Sequence, residues 1–351
     1  MKIKRIHFLD VGPLGEQALS MSDDWAGEIE TKVLLSGPNG CGKSTVLRAV
    51  AMLWEALGYW LDHRKALPNA HAARAWLQRW GGCAVVFEEL NVLPTPVGLI
   101  FGDLAWCEKT MQASPEVAWV GECVARSGKP GNPKRDFFMP EEAGFARWSD
   151  ARKRMILGFE PVEIPNLIFM DAEERRWVSP RKNVGEHLAE SPARRWLPKY
   201  LANEEWKGQL EASLLNLKTT RLHKFHEVIR QLNLFLAGKV IETDIRPGES
   251  RLRVKVAGQR GQFHTLDELS AGEHQVLILI YTLARWAEKG CVVLIDEPDL
   301  YLHPSLVTGL LSTLETLVAD MDGQLVITSH MPEVWRRYDS GGKRIQLGSA
   351  T

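Results

Sequence analysis

The stretch Gly37-Pro38-Asn39-Gly40-Cys41-Gly42-Lys43-Ser44-Thr45 decides the fold. It fits G-x-x-x-x-G-K-[ST], a loop whose backbone wraps a phosphate. Lys32 to Leu35 read as a strand running into it, and Val46 to Trp54 leave it with helical periodicity. Strand, loop and helix in that order are the context the motif requires. Gly37, Gly40 and Gly42 allow the close wrap, turning amide N–H groups inward at a helix N-terminus. Lys43 offers a point charge to the β and γ phosphates, and Ser44 a hydroxyl to Mg²⁺. Asn39 and Thr45 complete the nucleotide-binding candidates of this loop.

Two later stretches belong with it. Val292-Val293-Leu294-Ile295-Asp296-Glu297-Pro298 is a dry apolar strand ending in a carboxylate pair. Asp296 at its end suits the Mg²⁺ shell, and Glu297 is the natural general base for an attacking water. Leu269-Ser270-Ala271-Gly272-Glu273 precedes a helix read over Glu273 to Glu288. The loop and the carboxylate pair therefore predict a nucleotide-hydrolysing chain whose site is assembled from distant segments.

The Leu-Ser-Ala-Gly-Glu stretch resembles the signature of ABC-type ATPases. Asp296-Glu297-Pro298-Asp299-Leu300-Tyr301-Leu302-His303-Pro304 and Thr328-Ser329-His330 resemble the SMC/RecF-like branch of that group. More narrowly they resemble the OLD-like ATPases of prokaryotic anti-phage defence systems. Leu167 to Arg176 is similar to the strand that leads back out of the first lobe in such proteins. The resemblance covers residues 1–60 and 265–335. It implies an α/β fold: a P-loop ABC-type ATPase head with a mixed sheet and a helical/β lid insertion. It implies ATP and Mg²⁺ as ligands, and two heads facing each other. Ser270 and Gly272, with Glu273 completing the signature, would meet the γ-phosphate of the opposite head. His330 would sense that phosphate within its own head, and Asp299 to His303 would form the crossing between subunits. A glutamine linking lobe to metal is usual in the group, and Gln78 is the candidate here. One copy of each motif makes this chain one head of a homodimer.

The two halves of the nucleotide site lie about 220 residues apart, far beyond an ordinary connection. The expected division is an N-terminal ATPase lobe over 1–175, a helical insertion over 176–237, and a C-terminal lobe over 238–351. Leu210, Leu214, Leu215, Leu217, Leu222, Phe225, Ile229, Leu232 and Phe235 suggest an apolar stripe within a helical segment from about Gly185 to Ala237. Arg251 to Val256 alternate like a strand inside a β-rich stretch over 239–265. With no long heptad run, the insertion reads as a lid or short arm.

At 351 residues, 45% hydrophobic and 25% charged, the composition is that of a globular protein. No apolar run approaches the roughly twenty residues a membrane span needs. The N-terminus alternates charge and hydrophobe and does not look like a signal peptide. Five cysteines show neither a C-x-x-C pair nor metal spacing, so a reducing cytoplasm is expected. His223 and His226 form an H-x-x-H without further ligands and read as a solvated helix face. The thirteen tryptophans read as packing residues by default, several standing beside arginines.

Net charge is −1, but Arg126 to Arg260 hold 26 Lys/Arg against 18 Asp/Glu. The runs Lys134-Arg135, Arg152-Lys153-Arg154, Arg175-Arg176-Trp177, Arg181-Lys182 and Arg194-Arg195-Trp196 would suit a polyanion-facing surface, so nucleic acid is a candidate partner. A transporter cassette fits poorly, because its phosphate loop and signature stand far closer together and its signature usually ends Gly-Gly-Gln. The remaining readings are a RecF-like DNA-repair ATPase on DNA ends or gaps, and the regulatory ATPase of a defence module. OLD relatives carry a Toprim nuclease after the ATPase, and the stretch after His330 leaves no room for one. A separate effector protein is therefore the expected partner.

Overall fold

Two sheets clamp one long helix, and that arrangement places the phosphate loop. The computed structural model describes residues 1–125, 134–157, 164–179, 195–200, 202, 209–244, 251–258 and 261–348. The first sheet takes β1 (Lys2–Leu9), β2 (Gln17–Ser20), β4 (Gly82–Glu88), β5 (Val97–Asp103), β6 (Ala118–Ala125) and β7 (Lys134–Phe138), in the order β2-β1-β4-β5-β6-β7. Its pairs are antiparallel except β5 with β6. The second sheet is parallel, in the order β14-β3-β13-β12-β8. It comprises β3 (Lys32–Ser36), β8 (Leu167–Met170), β12 (Val292–Ile295), β13 (Gln324–Thr328) and β14 (Lys343–Gln346). The fold is mixed α/β.

Parallel strands covered on both faces read as unbroken apolar runs, as β12 does and as β13 does over Leu325 to Ile327. Alternate side chains then divide between two cores. Val292, Leu294 and Val326 face α1 (Lys43–His63), which fills the space between the sheets. Val293, Ile295, Leu325 and Ile327 face the opposite layer. That layer holds α5 (Gln209–Thr220), α6 (Leu222–Asn233), α7 (Ala271–Trp286) and α8 (Pro304–Ala319). The three-stranded ribbon β9 (Lys239–Ile241), β10 (Val254–Val256) and β11 (Phe263–His264) shares this core through Ile241 and Val254. Helices α2 (Ala72–Leu77), α3 (Leu104–Gln112), α4 (Ala143–Leu157) and α9 (Pro332–Gly341) complete the described α-helices. Trp54 of α1 stacks on Trp196 with centroids 4.3 Å apart, pinning the central helix to the 195–200 segment.

The helical stripe is interrupted. Arg221 ends the run between α5 and α6, so the period restarts and Leu222, first residue of α6, is exposed. The other stripe residues from Leu214 to Phe235 pack, with Leu215 half-buried, against the core shared by α7 and α8. The stretch from Gly185 up to α5 lies largely outside the described residues. The Arg251–Val256 alternation yields a strand only from Val254. Arg251 turns instead to Glu211 and Asp267, and the Leu252 N–H donates to the buried Glu211 Oε1 at 2.6 Å. Among the described residues no helix is long and apolar enough to cross a membrane.

Candidate functional site: a phosphate loop beside a carboxylate pair

The loop after β3 is shaped by three glycines in the left-handed region, Gly37 (φ +144°), Gly40 (φ +78°) and Gly42 (φ +100°). A Cβ on Gly37 would strike the Leu347 carbonyl and come within 2.8 Å of Cys41 Sγ. One on Gly42 would lie 2.8 Å from Leu14 Cδ2, so both positions need glycine on two counts. Gly42 caps α1 without a side-chain bond, and no acidic residue stands in the first turn. The free N–H groups and helix dipole thus favour an anion. Lys43 is buried, its Nζ donating to the Gly37 and Pro38 carbonyls at 3.0 Å each. Ser44, Asn39 and Gly40 are exposed, and Thr45 is half-buried.

The carboxylates sit two strands away, because β13 separates β3 from β12. Thr328, last residue of β13, joins them: its hydroxyl donates to Asp296 Oδ1 at 2.6 Å and accepts the Glu297 N–H at 2.8 Å. Glu297 is held at φ +46°, a conformation that a non-glycine residue adopts at a cost. Its Oε1 lies 3.3 Å from His330 Nε2. Asp299 accepts from Ser329 Oγ at 3.1 Å through one oxygen, while the other is buried without a partner. Burial pushes the Asp299 carboxyl above its ordinary range.

Arg175 underlies this edge, and sequence reading placed it in a surface run. It is fully buried. Nη1 donates to the carbonyls of Met170 (3.0 Å) and Asp296 (2.6 Å), Nη2 to that of Glu297 (2.7 Å), and Nε to Gln275 Oε1 (2.9 Å). The Gln275 amide donates back to the Arg175 carbonyl. One guanidinium therefore ties the end of β8, the carboxylate turn and α7 together. Burial lowers its pKa to about 10, against the pull of Asp296, Asp171, Asp299 and Glu297. In sequence Arg175 stood in the Arg-Arg-Trp string and in the Leu167–Arg176 stretch, and neither distinguishes an inward arginine. Asp171 lies in the same stretch without a sequence-assigned role: it follows β8 and pairs with Arg48 of α1.

The Leu269–Glu273 turn opens α7 on the surface. Ser270 Oγ accepts the Glu273 N–H at 3.3 Å while Glu273 Oε2 accepts the Ser270 N–H at 2.7 Å, a reciprocal capping box. Lys239 Nζ pins Glu273 at 2.8 Å. Burial alone would raise the Glu273 pKa, but the bonds from Lys239 and Ser270 hold it below the ordinary carboxylate range. A Cβ on Gly272 would sit 2.8 Å from the carbonyl of Tyr301, itself at φ +63°. Among the described residues no hydrogen bond joins this turn to residues 37–45.

The remaining sequence candidates fall in several places. Gln78 ends α2 and lines a cleft with Arg74 and Arg135, a cleft to which neither Ser44 nor Asp296 contributes. His303 caps α8, its Nδ1 accepting the Ser305 N–H at 3.3 Å, which gives it a structural duty. Among the described residues, several members of the basic runs turn inward or pair with carboxylates. Arg152 is buried against Asp62 and the Trp196 ring, Arg135 pairs with Glu122, and Arg195 with Glu288. Trp177 stacks on His274 with centroids 4.4 Å apart. Arg181, Lys182 and Arg194 lie outside the described residues. His223 and His226 are exposed, and the described residues hold no group of three or more metal-ligating side chains.

Residues 166–335 match a protein-family model described as "AAA domain, putative AbiEii toxin, Type IV TA system". The match takes in β8, Arg175, the signature turn, the carboxylate pair and His330. Protein ea59 of Escherichia phage lambda is 36% identical over 66 residues, which are 19% of this chain and 13% of that protein. Among solved structures, the fold is similar to an SMC head bound to the C-terminal winged-helix domain of ScpA (11% identity, TM-score 0.48, covering 100% of this chain and 95% of that one). It is also similar to the SMC head domain from Thermotoga maritima (14% identity, TM-score 0.46, covering 100% and 96%).

Proposed function

We propose that the chain is an ABC-type ATPase head that binds and hydrolyses ATP as a homodimer, each nucleotide closed in by the partner's signature turn. One observation carries this reading. The Leu269–Glu273 turn is pre-formed, with Ser270 and Ala271 exposed, and among the described residues it is unbonded to the phosphate loop of its own chain. The loop and the Asp296–Glu297–His330 edge are then one half of a site whose other wall is a surface that the chain presents elsewhere. A second copy related by a twofold axis supplies it.

The residues have separable tasks. The 37–45 amides and Lys43 bind the triphosphate, Lys43 exchanging its loop carbonyls for phosphate oxygens. Ser44 and Asp296 would hold Mg²⁺: they are hard oxygen donors, and Asp296 keeps one carboxylate oxygen clear of Thr328. The ion, when bound, neutralises charge on the β and γ phosphates. Glu297 takes a proton from the attacking water, with His330 orienting its carboxylate and reporting the γ-phosphate. Glu297→Gln tests this: retained ATP binding with lost turnover and a trapped dimer is expected, and undiminished turnover would refute the base assignment.

The biological reading is a sensor or regulatory ATPase of a prokaryotic anti-phage or toxin–antitoxin module, licensing a separate effector. It is supported by the Asp-Glu-Pro-x-x-x-Leu-His-Pro string, by the wording of the matching family, and by the phage-protein likeness. Co-purification with the product of the adjacent gene, weighed with and without ATP, tests it. An ATP-sensitive complex with a nuclease or toxin is expected. A lone ATP-dependent dimer that holds DNA would replace it with a repair clamp.

A further inference from the structure

Beside the first sheet lies a cleft of about 310 Å³ that the ATPase chemistry does not use. Helix α2 gives it Arg74, the following turn Arg79 and Trp80, β5 Phe101 and Asp103, and β7 Arg135. Arg74 Nη1 (3.4 Å) and Arg135 Nη1 (3.0 Å) converge on the same oxygen, the Leu67 carbonyl. Like charges are thereby brought side by side. Arg135 is matched by the buried Glu122 at 3.2 Å. Arg74 and Arg79, however, are bonded only to neutral oxygens, those of Leu67, Asn69 and Ala75. Burial, and then the nearby Arg135, lower the Arg74 pKa.

An arrangement that crowds guanidinium groups around a concavity is relieved by an anion, and planar forks suit phosphate above all. The remaining walls specify more. Trp80 is half-buried and held edge-on to Trp76 at 5.7 Å, giving the cleft an aromatic wall. Asp103 and Gln78 offer polar groups at the edge, the first an acceptor and the second both donor and acceptor. A volume near 300 Å³ is the lower end of small-molecule sites.

We propose that this cleft binds a nucleoside phosphate, with Arg74 and Arg79 on the phosphate and Trp80 beside the base, independently of the phosphate loop. Gly12 stands between the two: a Cβ there would be 4.0 Å from the Trp80 ring and 3.8 Å from Thr45 Cγ2 of the phosphate-loop helix. The assignment does not rest on the ATPase reading.

The test is calorimetric titration of AMP, GMP, CMP and UMP into the full chain and into Lys43→Ala, which disables the phosphate loop. At least one mononucleotide should bind both proteins with similar affinity. Arg79→Glu and Arg74→Gln should each weaken it roughly tenfold or more. Melting curves matching the wild type would exclude unfolding as the cause, and Arg79→Lys should restore part of the binding. Failure of all four mononucleotides to bind, binding abolished by Lys43→Ala, binding indifferent to both arginine changes, or inorganic phosphate binding as tightly as the mononucleotide would each overturn the proposal.

Discussion

Arg175 donates to the carbonyl oxygen of Glu297 across 2.7 Å, from a guanidinium entirely closed to solvent. The backbone that bears the general-base candidate is thus fixed from beneath, by a residue anchored to the helix that follows the signature. Arg175→Lys keeps the charge but loses the fork that reaches four acceptors. It should lower stability by about 2–4 kcal/mol and turnover by roughly tenfold, with ATP affinity changed only a few-fold. Paired thermal melts and steady-state kinetics would check it, and an unaltered kcat would show that the knot is structural alone.

Glu297→Gln keeps the size and the His330 contact but cannot accept a proton. Turnover should fall by about 10²–10⁴, while ATP drives a dimer stable enough to be weighed.

Two glycines separate binding from assembly. Gly37→Ala forces a side chain against the Leu347 carbonyl at a left-handed φ, and nucleotide affinity should be lost. Gly272→Ala pushes instead on the Tyr301 carbonyl, at 2.8 Å. It should bind nucleotide normally yet fail to dimerise with ATP, as size-exclusion with light scattering would reveal.

His274 is buried, which lowers its pKa below the ordinary histidine value. The unfolded chain therefore takes up a proton near pH 6.5 that the folded chain refuses. The stability this histidine contributes is present above that pH and is lost as pH falls toward its folded value. His274→Gln should flatten part of the decline in melting temperature between about pH 7 and 5. The rest belongs to groups such as His7 and His71, which burial shifts the same way.

The legible parts of this chain were those whose chemistry is local. The phosphate loop is a run of φ requirements, and β12 and β13 are dry strands, so Lys43, Asp296 and Glu297 were found where motif and period agree. Arg175, Asp171 and Thr328 stood inside recognised stretches, but their partners did not show. Arg175 reaches Asp296 across 121 positions, Asp171 reaches Arg48 across 123 and Thr328 reaches Asp296 across 32, contacts made only once β8, β12 and β13 lie side by side. The basic runs misled for a related reason, since charge along a sequence says nothing of which arginines turn inward. Arg152 and Arg175 do. Leu222 shows the same limit: a period cannot announce that the helix carrying it has stopped and begun again.

Strand β14 lies alongside β3, with the Leu347 N–H donating to Ser36 and the Leu347 carbonyl against Gly37. The loop that grips phosphate therefore takes its shape from a strand made some 300 residues later. A chain emerging from the ribosome carries its nucleotide motif early, yet the flank of that motif stays open until residues 343–347 arrive. The last of the described strands to be made is thus the one that closes the side of a loop made near the start.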